Sequence, residues 1–127
     1  MPFELIWEPE GVVIQYAGVV TDDDIRQANL DLFDDPRFET LKYEICIYTD
    51  ITALDRSSEF VRWVADFDLQ ASKRNPSVRV AVVGEQPLLK GITNMYRAEF
   101  ELRGGTWGQG LFDTVEEARA WLAKSDD

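Results

Sequence analysis

Residues Thr49 to Phe60 read TDITALDRSSEF and place two adjacent serines, Ser57 and Ser58, at a change of pattern. Upstream, Tyr43 to Thr49 is an apolar run rich in β-branched and aromatic residues, which reads as a strand. Downstream, Phe60, Val64, Phe67 and Ala71 recur at helical spacing across Ser57 to Arg74. The stretch therefore hands a strand over to a helix. A helix start presents unpaired N–H groups and the positive end of the dipole, so a hydroxyl or a phosphate is favoured there. The serines are either a helix cap or a site of modification.

Working outward, the same alternation of elements continues to both ends. Phe3, Leu5 and Trp7 alternate with Glu4, Ile6 and Glu8, the pattern of a half-buried strand, and GVVIQYAG returns after the EPEG turn as its hairpin partner. Thr21 before three aspartates reads as a helix start, with Ile25, Ala28, Leu32 and Phe33 as its apolar stripe and Asn29 as a hydrogen-bonded amide within it. DDPRF ends that helix at its proline. After Arg74, Val78 to Val83 reads as a fourth strand and Pro87 to Leu102 as a helix carrying Leu88, Ile92, Met95 and Tyr96. Gly104 and Gly105 terminate it, a short strand ends at Leu111 and Phe112, and Thr114 to Glu117 forms a capping box for a last helix.

The order is β-β-α-β-α-β-α-β-α, an α/β class with a five-stranded mixed sheet, since crossovers through helices make the later strands parallel. Length fits one domain over residues 1–127, with no linker, repeat or low-complexity segment. Glu4, Glu8, Gln15, Glu44 and Arg79 recur on one side of the strands, which predicts helices mainly on the other face. Ile6, Cys46 and Tyr48 share the charged side in this phase, making it a mixed contact surface.

Composition narrows the partners. With 13 basic against 24 acidic residues the net charge is -11, which repels nucleic acid and anionic membrane surfaces and would steer in a basic protein face. Cys46 is the one cysteine, so no internal disulfide forms, and no stretch reaches the roughly 18 apolar residues of a membrane span. The first residues lack the basic start and apolar run of a secretion signal, and a cytoplasmic protein is expected.

The chain holds no histidine, which removes the commonest general base and the usual zinc ligands. No twelve-residue calcium loop occurs, RGGTWGQG lacks the Gly-Lys-Ser/Thr ending of a phosphate loop, and no metal or cofactor is expected. Asp68 falls between Val61 and Val64 on its helix and Glu99 beside Leu88 and Ile92; each is expected to stay wet where a helix overhangs the sheet.

The element order, with YTDITALDRSS leaving a strand for a helix, resembles the STAS-like, or SpoIIAA-like, family of bacterial anti-sigma-factor antagonists. In that family an Asp-x-Ser segment precedes an Asp-Ser-Ser-Gly motif whose serine is phosphorylated by a partner kinase. Asp50-Ile51-Thr52 matches the first element, and Asp55, Ser57 and Ser58 match the second with shifted spacing, Glu59 standing in place of glycine. DPRFETLKY, AVVG, GITNMY and EEARAWL resemble a single-domain branch of it.

Together with the missing histidine and the acidic charge, this reads as a non-catalytic interaction module, not an enzyme, that is expected to bind a basic protein partner and to self-associate as a homodimer. Its candidate surface is Asp55, Arg56, Glu59, Trp63 and Tyr48, with Ser57 and Ser58 as phosphorylation candidates. The alternative is a carrier of a small apolar molecule or lipid, held between sheet and helices by Phe67, Met95, Tyr96 and Phe100.

Overall fold

The hairpin joins β1 (Phe3–Trp7) to β2 (Gly11–Val20) in antiparallel register, with the Glu8 N–H donating to the Gly11 carbonyl at 2.8 Å across the turn. The computed structural model describes residues 2–55 and 57–124. Thr21 caps α1 (Asp22–Asp34): its hydroxyl accepts from the Asp24 N–H while the Asp24 carboxylate accepts from the Thr21 N–H, a reciprocal box. A short 3-10 helix, Pro36–Thr40, follows, capped by Asp35. The chain then forms β3 (Tyr43–Leu54), α2 (Ser58–Arg74), β4 (Arg79–Val83), α3 (Pro87–Leu102), β5 (Gly108–Phe112) and α4 (Val115–Ala123). Gly104, at φ 86°, takes the left-handed conformation that ends α3, as the glycine pair predicts.

The strands lie in the order β1-β2-β3-β4-β5, the first pair antiparallel and the rest parallel, so the sheet is mixed. Three helices, α1, α2 and α3, cover one face over a core that includes Ile14, Tyr16, Leu32, Phe38, Val64 and Phe100. The fourth, α4, packs on the opposite face, where Ala118 meets Val13, Ile45, Ile47, Ala81 and Val83. Helices thus lie mainly on one side. That opposite face is not left open, however: α4 closes it over β3, β4 and β5, because the odd positions of β3 and β4 are themselves apolar and need a cover.

The phase assumed for β3 is corrected. Glu44, Cys46 and Tyr48 point into the three-helix core and are buried, whereas Tyr43, Ile45 and Ile47 face α4. In a central strand covered on both sides, a charged residue does not mark the wet face. Asp68 is corrected too. It is 7% exposed, because α2 lies over the sheet at that point instead of overhanging it.

Candidate functional site

The strand-to-helix junction resolves the two serines. Ser57 is the N-cap of α2, its Oγ accepting from the Phe60 N–H at 3.1 Å. Ser57 Oγ also lies 3.5 Å from Asp22 Oδ2 at the start of α1, an acid that would repel a phosphate there. Ser58 is the first helical residue and is exposed. Asp55 and Glu59 are exposed beside them, and Asp55 ends β3 with its N–H donating to the Val20 carbonyl at 2.9 Å. Arg56 lies outside the described residues.

Trp63, 38% exposed, belongs to an aromatic ladder on α2, stacked at 5.5 Å on Phe60 and 4.9 Å on Phe67, with the Arg26 guanidinium 5.1 Å from its ring. Tyr48 does not join this surface. Its ring is buried and stacks on Tyr16 at 4.6 Å, because β3 turns that side chain into the core. Asp55, Ser57, Ser58, Glu59 and Trp63 therefore gather around the first turns of α2, without Tyr48.

Sequence reasoning missed what lies next to this junction. β3 outruns β4: their pairing ends at Ile47 and Val83, while β3 continues along β2 as far as Leu54. Beyond Val83 the chain leaves the sheet for α3, and Gln86 donates to the Tyr48 carbonyl at 3.3 Å. Among the described residues, Asp50, Ile51, Ala53 and Leu54 thus pair on one side only, with β2, across two register shifts that leave Thr49 and Thr52 out of the ladder. Between that edge and the start of α3 runs a groove of about 190 Å³ walled by Ile51, Ala53, Leu54, Leu88 and Leu89. Leu88 is 59% exposed, and Asp50, Asp55 and Glu85 are exposed close by in the chain. The available signal was Ile51 and Thr52, two β-branched residues that follow the apolar run of β3.

A second concavity lies under the three helices. Of the four residues expected to line an apolar cavity, Tyr96 alone does so. Phe67 packs on Phe33 at 5.4 Å, Phe100 is fully buried against Trp107 at 5.6 Å, and Met95 is half-buried on α3 away from the cavity wall. The cavity, about 70 Å³, is instead built around Glu44, Cys46, Asp68, Asn29, Thr93 and Tyr96 among apolar side chains.

Tyr96 donates its hydroxyl to Asp68 Oδ2, and Cys46 donates to Glu44 Oε1 at 3.1 Å. Burial pushes the Asp68 carboxyl well above the usual range against the pull of the Tyr96 hydroxyl, and the negative charge of Glu44 adds to the rise. Burial raises Glu44 likewise, and burial followed by the charge of Asp68 raises Tyr96. Glu99, the other suspect acid, is half-buried and bonded to Arg103 at 2.6 Å. Among the described residues no three His, Cys, Asp or Glu side chains come together as metal ligands, and no helix is long and apolar enough to cross a membrane.

A sequence model of the family described as SpoIIAA-like matches residues 12–123. The chain belongs to the SpoIIAA-like family. Solved structures of similar fold include the anti-sigma factor antagonist SpoIIAA in its unphosphorylated form, at TM-score 0.62 and 13% identity over 93% of this chain and 94% of that one. The Bacillus cell fate determinant SpoIIAA in its phosphorylated form matches at TM-score 0.60 and 14% identity over 94% and 98%. An uncharacterised DUF3478 protein with a SpoIIAA-like fold from Shewanella loihica PV-4 matches at 0.56 and 16% over 95% and 92%. At such identities the likeness is one of fold. No curated protein sequence matches the chain.

Proposed function

We propose that this SpoIIAA-like chain is a non-catalytic regulatory module, acting as one unit, that binds an extended basic segment of a protein partner along the free edge of β3. The observation that carries this reading is the one-sided pairing of Asp50, Ile51, Ala53 and Leu54 beside an apolar groove. An unpaired strand edge is a template for strand addition, in which backbone bonds supply affinity and alternate side chains enter pockets. The occupant follows from charge. Asp50, Asp55 and Glu85 flank the edge in a chain of net charge -11, so lysine or arginine side chains alternating with small apolar ones complement it. SpoIIAA exists in phosphorylated and unphosphorylated forms; by that likeness Ser58, exposed and outside the cap, is the serine of this junction open to a kinase.

The test is an amide NMR titration of the full chain with a twelve-residue peptide alternating Lys and Val. Shifts confined to residues 49–54 and 86–89 are expected, fading as salt shortens the Debye length from about 10 Å at 0.1 M to about 3 Å at 1 M. Leu88→Asp, on an exposed side chain, should abolish them without loss of fold. Shifts elsewhere, salt-independent shifts or no shifts would overturn the reading. The same shifts arising with protein concentration alone would assign the edge to a second copy of this chain.

A further inference from the structure

The cavity beneath α1, α2 and α3 holds two buried acids and, among the described residues, no cation. Asp68 on α2 and Glu44 on β3, 7% and 6% exposed, both face it. Asp68 Oδ1 is buried and lacks a hydrogen-bond partner, while Oδ2 takes the Tyr96 hydroxyl. Among the described residues no lysine or arginine contributes to the wall, which is otherwise formed largely by Ile25, Val64, Val80, Val82, Leu89 and Ile92. A buried carboxylate is tolerated when a cation and hydrogen bonds satisfy it, and here two acids share one cavity with no cation.

We propose that this cavity is a binding site for a small organic ammonium ion, whose charged head meets Asp68 and Glu44 and whose hydrocarbon part fills the apolar wall. Size sets the body: a water needs about 10–15 Å³ of such space, so the cavity accepts roughly five heavy atoms, an amine of about four carbons. The N–H donors of the head satisfy Asp68 Oδ1, which takes no hydrogen bond from any described residue. A hard metal ion is a poorer fit, since calcium and magnesium take six or more oxygens and the wall is mostly apolar. The titratable groups that line the cavity with the acids are Cys46 and Tyr48 from β3, Tyr16 from β2 and Tyr96 from α3; α1 contributes Asn29. Burial favours the neutral acids in the empty cavity, so ammonium binding is accompanied by proton release.

This site is separate from the groove of β3, and either can fail without the other. The experiment is calorimetry on the full chain with n-butylammonium, 1-butanol as neutral isostere and butyrate as anion. Saturable binding of butylammonium is expected, at least roughly tenfold tighter than butanol, with none for butyrate. Heats that vary with buffer ionisation should report the released proton. Asp68→Asn should weaken butylammonium at least roughly tenfold while the circular dichroism stays unchanged. Glu44→Gln serves the same purpose if that variant does not fold. Butanol binding as tightly as butylammonium, an affinity indifferent to both substitutions, or no saturable binding would each overturn the proposal.

Discussion

The two faces of the sheet treat their acids in opposite ways. On the α4 side, Glu8 accepts two hydrogen bonds from Arg119, at 2.7 and 3.1 Å, and one from the Tyr43 hydroxyl. The Arg119 bonds and then the Tyr43 bond hold its carboxyl below the usual range. Under the three helices, Glu44 and Asp68 receive a thiol and a phenol, and burial holds both above the usual range, with the charge of Glu44 adding to the rise at Asp68. The α4 face pairs Glu8 with Arg119 beside an apolar cluster of Val13, Ile45, Ile47, Ala81 and Val83. The cavity face has unpaired acids around a void. The difference teaches that pairing serves cohesion in one place, and that its absence in the other leaves room for an incoming group.

The largest expected effect breaks the comparison at two neighbours on one strand. Val83, fully buried against α4, should cost about 2 kcal/mol when cut to alanine, whereas Val82, which already faces the cavity, should cost under about 1 kcal/mol, both read from urea denaturation. Equal costs would mean that the two faces are packed alike.

The second prediction concerns pH, and the two faces take opposite signs. Asp68 and Glu44 bind protons more tightly folded than unfolded, so their contribution favours the fold in acid and is lost as pH rises from the ordinary carboxylate range through the raised folded values. Glu8 contributes above its unfolded value and loses that contribution as pH falls through its lowered folded one. Asp68→Asn should therefore stabilise the fold by about 1 kcal/mol at neutral pH and flatten the decline, in denaturation curves taken across pH. Unchanged stability would mean that Asp68 is wet.

Smaller again is the contrast between the serines. Ser57→Ala removes the α2 cap and should cost about 1 kcal/mol, while Ser58→Ala should stay within about 0.5 kcal/mol, compared by thermal unfolding. The smallest effect sharpens the sealed face. Arg119→Ala breaks a partly exposed pair and should cost roughly 0.5 kcal/mol, reduced by salt, while releasing Glu8 toward its ordinary titration.

Much of this architecture is legible because its local signals are mechanical. Thr21, Ser57 and Thr114 cap helices by accepting from backbone N–H groups of the first turn, Pro87 fits a first turn, and Gly104 supplies a positive φ, all within a few residues. The phase of β3 is not legible in this way. Both of its residue sets are largely apolar and both faces are covered, so alternation alone cannot say which side Glu44 takes. Asp68 shows the same limit differently. Its place on the apolar stripe of α2 is visible in the sequence, but the donor that meets it comes from Tyr96, 28 residues away on α3. The free edge of β3 arises from a difference in length between two strands, which pairing reveals and composition does not.

Side-chain carbon-13 NMR on the folded chain can follow the carboxyl titrations of Glu8, Glu44 and Asp68 and so compare the two faces in one experiment. Asp68 and Glu44 should still hold their protons at a pH where Glu8 has fully lost its own. Asp68 titrating alongside the exposed aspartates, or Glu8 titrating above it, would contradict the contrast between the two faces.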